Sequence, residues 1–123
     1  MRKIEIVIGA VSAVAVLAEN RTADMIWAVL PFAGDANRWG DEIYFEIPVQ
    51  LAQADDARAL LEPGELGYWP VGHAFCIFWG PTPASKGQEP RAYSPVNVFG
   101  RLEGHPAAFD DVQSGAAVRV ERV

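Results

Sequence analysis

The chain opens on a two-residue period. Ile4, Ile6 and Ile8 alternate with Lys3, Glu5 and Val7, as in a strand with one buried face. After the break at Gly9-Ala10 the apolar run resumes, which predicts a hairpin of two strands, Arg2 to Ile8 and Val11 to Ala18. From Asn20 the period changes: Ala23, Ile26, Trp27 and Leu30 fall at helical spacing, Asn20 or Thr22 is available as N-cap, and Pro31 closes the segment. Asp41 to Val49 returns to period two, with Ile43, Phe45 and Ile47 on one face and Glu42, Tyr44 and Glu46 on the other. Asp55 to Leu61 reads as a short helical turn stopped by Pro63-Gly64, and Gly64 to Gly72 as a loop. The run His73 to Trp79 is apolar at nearly every position, which predicts a strand covered on both faces.

Gly80 to Pro95 has no apolar period and reads as a long surface loop. A strand is expected over Val96 to Glu103, with Val96, Val98 and Leu102 inward and Asn97, Phe99 and Arg101 outward. Pro106 opens a short helix to about Val112, Ser114-Gly115 turns the chain, and Ala116 to Val123 forms a last strand. Many short strands with two or three short helices point to one all-β domain over residues 1–123, built as a closed β-barrel in which closure removes the exposed edges.

Composition narrows the function more than the fold. Ten Lys and Arg against sixteen Asp and Glu give a net charge of −6, and no basic cluster stands ready to neutralise phosphates. Nucleic acid and anionic membranes are therefore excluded as expected partners. Met1-Arg2-Lys3 before the apolar stretch from Ile6 to Ala18 has the outline of a secretory signal, but Glu5 and Gly9-Ala10 interrupt it and the strand period runs through it. No window supplies the roughly twenty consecutive apolar residues a bilayer span needs. The single cysteine, Cys76, makes no internal disulfide, so a cytoplasmic location is expected.

Four segments carry a family resemblance: Trp39-Gly40-Asp41-Glu42-Ile43-Tyr44-Phe45, Gly64-Glu65-Leu66-Gly67-Tyr68-Trp69-Pro70, Ala74-Phe75-Cys76-Ile77-Phe78-Trp79-Gly80-Pro81-Thr82-Pro83, and Ser94-Pro95-Val96-Asn97-Val98-Phe99-Gly100-Arg101-Leu102. In this order and spacing the chain resembles the small prokaryotic cyclophilin-like family of single-domain proteins. The resemblance implies a closed eight-stranded barrel flanked by helices. It also raises peptidyl-prolyl isomerase activity, although the Phe-His-Arg and Gln-Gly-Gly-Asp-Phe segments of the active cyclophilins are absent. A further reading is an accessory subunit of an amidohydrolase-type enzyme, since related domains occur in 5-oxoprolinase-type proteins.

The residues themselves favour binding over catalysis. Trp39, Tyr44, Tyr68, Trp69 and Phe75 lie within the first three segments, and an aromatic-lined groove on the barrel exterior suits a small apolar or peptide-like ligand, including one that contains proline. Glu42 shares a strand face with Tyr44, so a carboxylate and a phenol converge, and rings beside the acid would raise its pKa. The expected ligand-binding set is thus Trp39, Glu42, Tyr44, Tyr68, Trp69 and Phe75. His73, His105 and Cys76 stand at no metal-ligand spacing, so neither metal nor other cofactor is expected. Arg101, with Arg38 and Arg91, is the candidate for an isomerase arginine, against a surface ion-pair role. An acidic surface with an aromatic patch is compatible with a homodimer.

Overall fold

The structure, a computed structural model, describes residues 1–104 and 106–123, with the side chains of Pro106 and Ala107 left aside. Ten strands, one α-helix and one short 3-10 turn follow the chain: β1 (Lys3–Ile8), β2 (Val11–Leu17), α1 (Arg21–Val29), β3 (Phe32–Asp35), β4 (Asn37–Arg38), β5 (Glu42–Glu46), β6 (Arg58–Leu60), β7 (Glu65–Trp69), β8 (Ala74–Phe78), β9 (Arg91–Leu102), the turn Pro106–Phe109, and β10 (Ala117–Arg122). Nine of the strands form a hydrogen-bonded path β3-β10-β1-β2-β9-β7-β8-β5-β4, and β6 pairs with β9 beside that path. The architecture is mostly β with one helix.

The expectation of a closed eight-stranded barrel is corrected at one point. The ends of the path, β3 and β4, are consecutive in the chain and joined through buried Ala36, but no ladder pairs them, so the sheet is curled and not closed among the described residues. Nor does a ladder join β3 to β5 among the described residues. They meet through side chains, with the Phe32 ring of β3 6.4 Å from Phe45 of β5, and Phe32 also lies 6.1 Å from Phe75 of β8. β3 and β4 escape sequence analysis because strands of four and two residues are too short to show a period.

Inside the curl, the inward faces of β1, β5, β7 and β8 contribute Ile4, Ile6, Ile8, Ile43, Phe45, Leu66, Tyr68, Phe75 and Ile77, all nearly or fully buried. Helix α1 adds Ala23, Ile26 and, just beyond its last turn, Leu30. Its N-cap is Asn20, whose side-chain oxygen accepts the Ala23 N–H at 2.9 Å while its amide donates to the Val98 carbonyl of β9 at 3.0 Å. No helix among the described residues is long and apolar enough to cross a membrane.

Outside the curl a second apolar cluster covers β8. Ala74, Cys76 and Phe78 pack against Leu61, Ala92 and Val96, with Tyr44, Trp69 and Val98 at its margin. Both faces of β8 are therefore buried, as its unbroken apolar run implies.

Four further expectations change. Residues 58–60 form a strand rather than a helical turn, because Arg58 and Leu60 pair with Val96 and Arg91 of β9. Gly64 to Gly72 is not a loop, since β7 occupies its first half between β8 and β9. The strand expected from Val96 begins at Arg91, inside the supposed loop. Its faces are exchanged before the bulge, where Val96 and Val98 pack outward and Asn97 and Phe99 are buried, whereas Leu102 lies inward and Arg101 outward as expected. The reason is a bulge opposite Leu66 and Gly67, where pairing jumps from Gly100 to Val98 and breaks the simple alternation, so that both Phe99 and Leu102 reach the core. The short helix at Pro106 is a single 3-10 turn ending at Phe109, and His105 lies outside the described residues.

Gly67 marks how closely β7 and β9 approach. A Cβ there would lie 2.4 Å from Val96 Cγ2 and 2.9 Å from Val96 Cβ. Val96 sits in a packed layer and cannot retreat freely, so Gly67→Ala is expected to destabilise the protein by about 1–3 kcal/mol. Chemical denaturation of the variant beside the parent chain checks this; unchanged stability would mean that the outer layer is loosely packed.

Candidate functional site

The outer cluster does not fill the space above β5 completely. A cavity of about 150 Å³ opens there, lined by Trp39, Glu42 and Tyr44 from one side and Trp69, Ala92, Tyr93 and Val96 from the other. Each wall is held by local structure. Trp39 opens a tight turn in which its N–H donates to the Glu42 carbonyl at 2.9 Å and the Glu42 N–H returns to the Trp39 carbonyl at 3.2 Å. Gly40 makes that turn possible: its φ is +60°, and a Cβ would stand 2.8 Å from Thr82 Cα. The Asp41 N–H then donates to the Pro81 carbonyl at 3.0 Å, which seats the turn on the segment after β8.

Trp69 is the last residue of β7. Its indole N–H donates to Ser94 Oγ at 2.6 Å, and Gly72 lies against the flat of its ring, where a Cβ would come within 2.7 Å. Tyr93 stands opposite on β9 and is 77% exposed. Contacts flank it on its strand, since Thr82 Oγ1 donates to the Arg91 carbonyl and Ser94 Oγ accepts from Trp69. The rings meet edge to face: Trp39 and Tyr93 at 6.3 Å and 66°, Tyr93 and Trp69 at 6.1 Å and 74°, Trp69 and Tyr44 at 6.5 Å and 76°.

Glu42 forms the base. It is only 6% exposed, and burial raises its carboxyl to about 7, with the neighbouring Cys76 thiol pulling the other way. Among the described residues no guanidinium, ammonium or backbone N–H reaches this carboxyl. Near neutral pH it is divided between the acid, which donates a hydrogen bond, and the carboxylate, which accepts. Cys76 beside it is buried, and burial together with Glu42 pushes its thiol well above the usual range, so it is not a thiolate nucleophile. No group of three or more metal-ligating side chains occurs among the described residues.

A family model described as cyclophilin-like matches residues 2–121. The chain belongs to the cyclophilin-like family. The solution structure of a hypothetical protein from Archaeoglobus fulgidus is similar to this cyclophilin-like chain at 34% identity and a TM-score of 0.83, covering 99% of this chain and 95% of that one. A comparison with curated proteins finds no match.

Of the six residues expected at a cyclophilin-like groove, Trp39, Glu42, Tyr44 and Trp69 line the cavity. Tyr68 and Phe75 do not, and the expectation that they share the concavity is corrected. Neighbours along a strand point to opposite faces, so once 65–69 is a strand, Tyr68 must turn inward if Trp69 turns outward. The Tyr68 hydroxyl donates to the Val49 carbonyl at 2.6 Å, accepts the Leu51 N–H at 3.3 Å and lies 3.3 Å from His73 Nδ1. Phe75 is its register partner and stacks on Phe45 at 4.9 Å. Tyr93, Ala92 and Val96 were not among the expected residues. An isolated aromatic between Pro90 and Pro95 is the signal that marks Tyr93.

The arginines are engaged elsewhere. Arg101 pairs with Glu62 at 2.6 Å, Arg91 with Glu89 at 3.3 Å, and Arg38 with Asp41 at 3.0 Å, while Arg38 also donates to the carbonyls of Phe109, Asp110 and Val112.

Glu42 makes stability depend on pH in a defined direction. The folded state keeps its proton up to about 7, whereas the unfolded chain releases it near 4.5, so the folded state holds more protons in between. Stability contributed at this site is present below the lower value and declines as the pH rises to the upper one. Glu42→Gln removes the titration; its stability relative to the parent is expected to improve between pH 5 and pH 8 by on the order of 2–3 kcal/mol. Urea denaturation of both proteins across that range measures the difference, and parallel curves would show that Glu42 is solvated.

Proposed function

We propose that this cyclophilin-like protein is a binding module whose outer cavity receives a small, largely apolar group. The observation that carries the reading is the set of four aromatic side chains, Trp39, Tyr44, Trp69 and Tyr93, ranged around a space with one buried carboxyl at its base. The cavity rings are positioned by hydrogen bonds and turn geometry at Gly40, Gly72 and Ser94. The volume of about 150 Å³ is below the roughly 300–1,000 Å³ of sites for drug-sized molecules, which favours one compact group over a peptide segment.

Binding is favoured over prolyl isomerisation because the lining contains no arginine, and the three candidate arginines are bonded to acids outside it. Turnover of a standard Xaa-Pro peptide is expected at the uncatalysed rate; a rate well above it that disappears in Arg101→Ala would reverse this preference.

Nuclear magnetic resonance of labelled protein against a mixture of small-molecule fragments tests the binding reading. Shifts are expected at the Trp69 indole, Tyr93 and Glu42 and not at the inner Tyr68. Trp69→Ala should abolish them at a stability cost well below the about 3–5 kcal/mol of Phe75→Ala, because Trp69 is half-buried and Phe75 fully buried. Fragments that shift only residues away from the cavity would sink the proposal.

A further inference from the structure

We infer that the occupant of this cavity is a small organic cation, an alkylated ammonium group, held against the aromatic faces with the Glu42 carboxylate beneath it. This rests on the reading of the cavity as a binding site and names its ligand class.

Two buried acids on the outer face of the sheet provide the first argument. Glu65 on β7 is 5% exposed and Glu42 on β5 is 6% exposed, so both have lost most of their water. Glu65 is compensated: Arg58 donates to its two oxygens at 2.8 and 2.6 Å, and the Glu62 N–H adds a third bond at 2.7 Å. Burial alone would raise the Glu65 carboxyl, but the Arg58 hydrogen bonds, the Glu62 amide and the charges of Arg58 and Arg101 together hold it below the usual range. Glu42 has the same burial and none of these partners among the described residues, and it faces the cavity. A buried carboxyl without a cation is costly. A positively charged ligand supplies what Arg58 supplies to Glu65.

The walls provide the second argument. A cation is attracted to the face of an aromatic ring, most strongly to tryptophan, and desolvation strengthens the effect. Four rings, two of them tryptophans, line the space and meet at 66°, 74° and 76° rather than stacking flat on one another. The nearby guanidinium groups of Arg38, Arg58 and Arg91 are each paired with an acid, so none competes for the carboxylate. The net charge of −6 draws cations toward the molecule as a whole.

Among the described residues, the titratable groups around Glu42 are Tyr44 on its own strand, Cys76 on β8 and Tyr93 on β9; Asp41 on the adjoining turn is engaged by Arg38. Because the ligand requires the carboxylate, binding should release a proton and strengthen as the pH rises.

Titration of the intact chain with choline, and with dimethylbutanol, in which carbon replaces the nitrogen, reads this directly by tryptophan fluorescence at constant ionic strength. Choline is expected to bind at least about tenfold more tightly than the alcohol. Its affinity should be about tenfold weaker at pH 6 than at pH 8. Glu42→Gln should remove the pH dependence and most of the preference for choline. Tyr93→Leu, at an exposed position that the core does not use, should weaken choline more than the alcohol. Equal or tighter binding of the alcohol would overturn the cation and leave the binding module standing. Failure of both probes would also overturn the cation, and the fragment measurement then decides the binding reading separately.

Discussion

Strand β8 has no face in water, and the rest of the molecule is arranged around that constraint. Its inward residues, Phe75 and Ile77, need the curled sheet and helix α1 to complete a core; its outward residues, Ala74, Cys76 and Phe78, need a second cover. That cover is built from β6, the first half of β9 and the turn at Trp39, each tied to its neighbours by backbone pairing or by a glycine that permits close approach. A covering layer made of short, irregular pieces cannot pack as densely as a sheet on a sheet, and the cavity lies where it falls short.

The second consequence of the double burial is electrostatic. An acid placed on the outward face of β5 sits next to Phe78 and Cys76 of β8, so it cannot keep its hydration shell. The same layer tolerates Glu65 only by devoting Arg58 and a backbone amide to it. Keeping Glu42 without such a partner works against folding at neutral pH, and proteins retain local conflicts of this kind where function needs them.

Much of the inner core was legible in the sequence, because Ile4, Ile6 and Ile8 or Ile43 and Phe45 alternate on strands with one buried face, and Ala23, Ile26 and Leu30 keep the helical period. Legibility fails wherever alternation is broken. The bulge that sends both Phe99 and Leu102 inward has no marker in composition, and β3, β4 and β6 are too short to carry a period. At the site, Glu42 and Tyr44 could be placed together because they share a face of one strand. Tyr68 and Trp69 could not be separated while their segment read as a loop, since only strand geometry sends adjacent side chains apart. Tyr93 was hidden by distance along the chain: it meets Trp39 and Trp69 through pairing of β9 that no local pattern announces.

Tyr93 differs from the other walls in what anchors it. Trp39 is locked by a turn, Trp69 by Ser94 and Gly72, Tyr44 by its strand, but the Tyr93 side chain projects from the surface with most of its area in solvent and contributes to neither core. Evolution can therefore replace it almost freely as far as folding is concerned. If the cavity binds a ligand as proposed, the residue at this position is where preference for that ligand can diverge among proteins built on this frame while the scaffold stays the same.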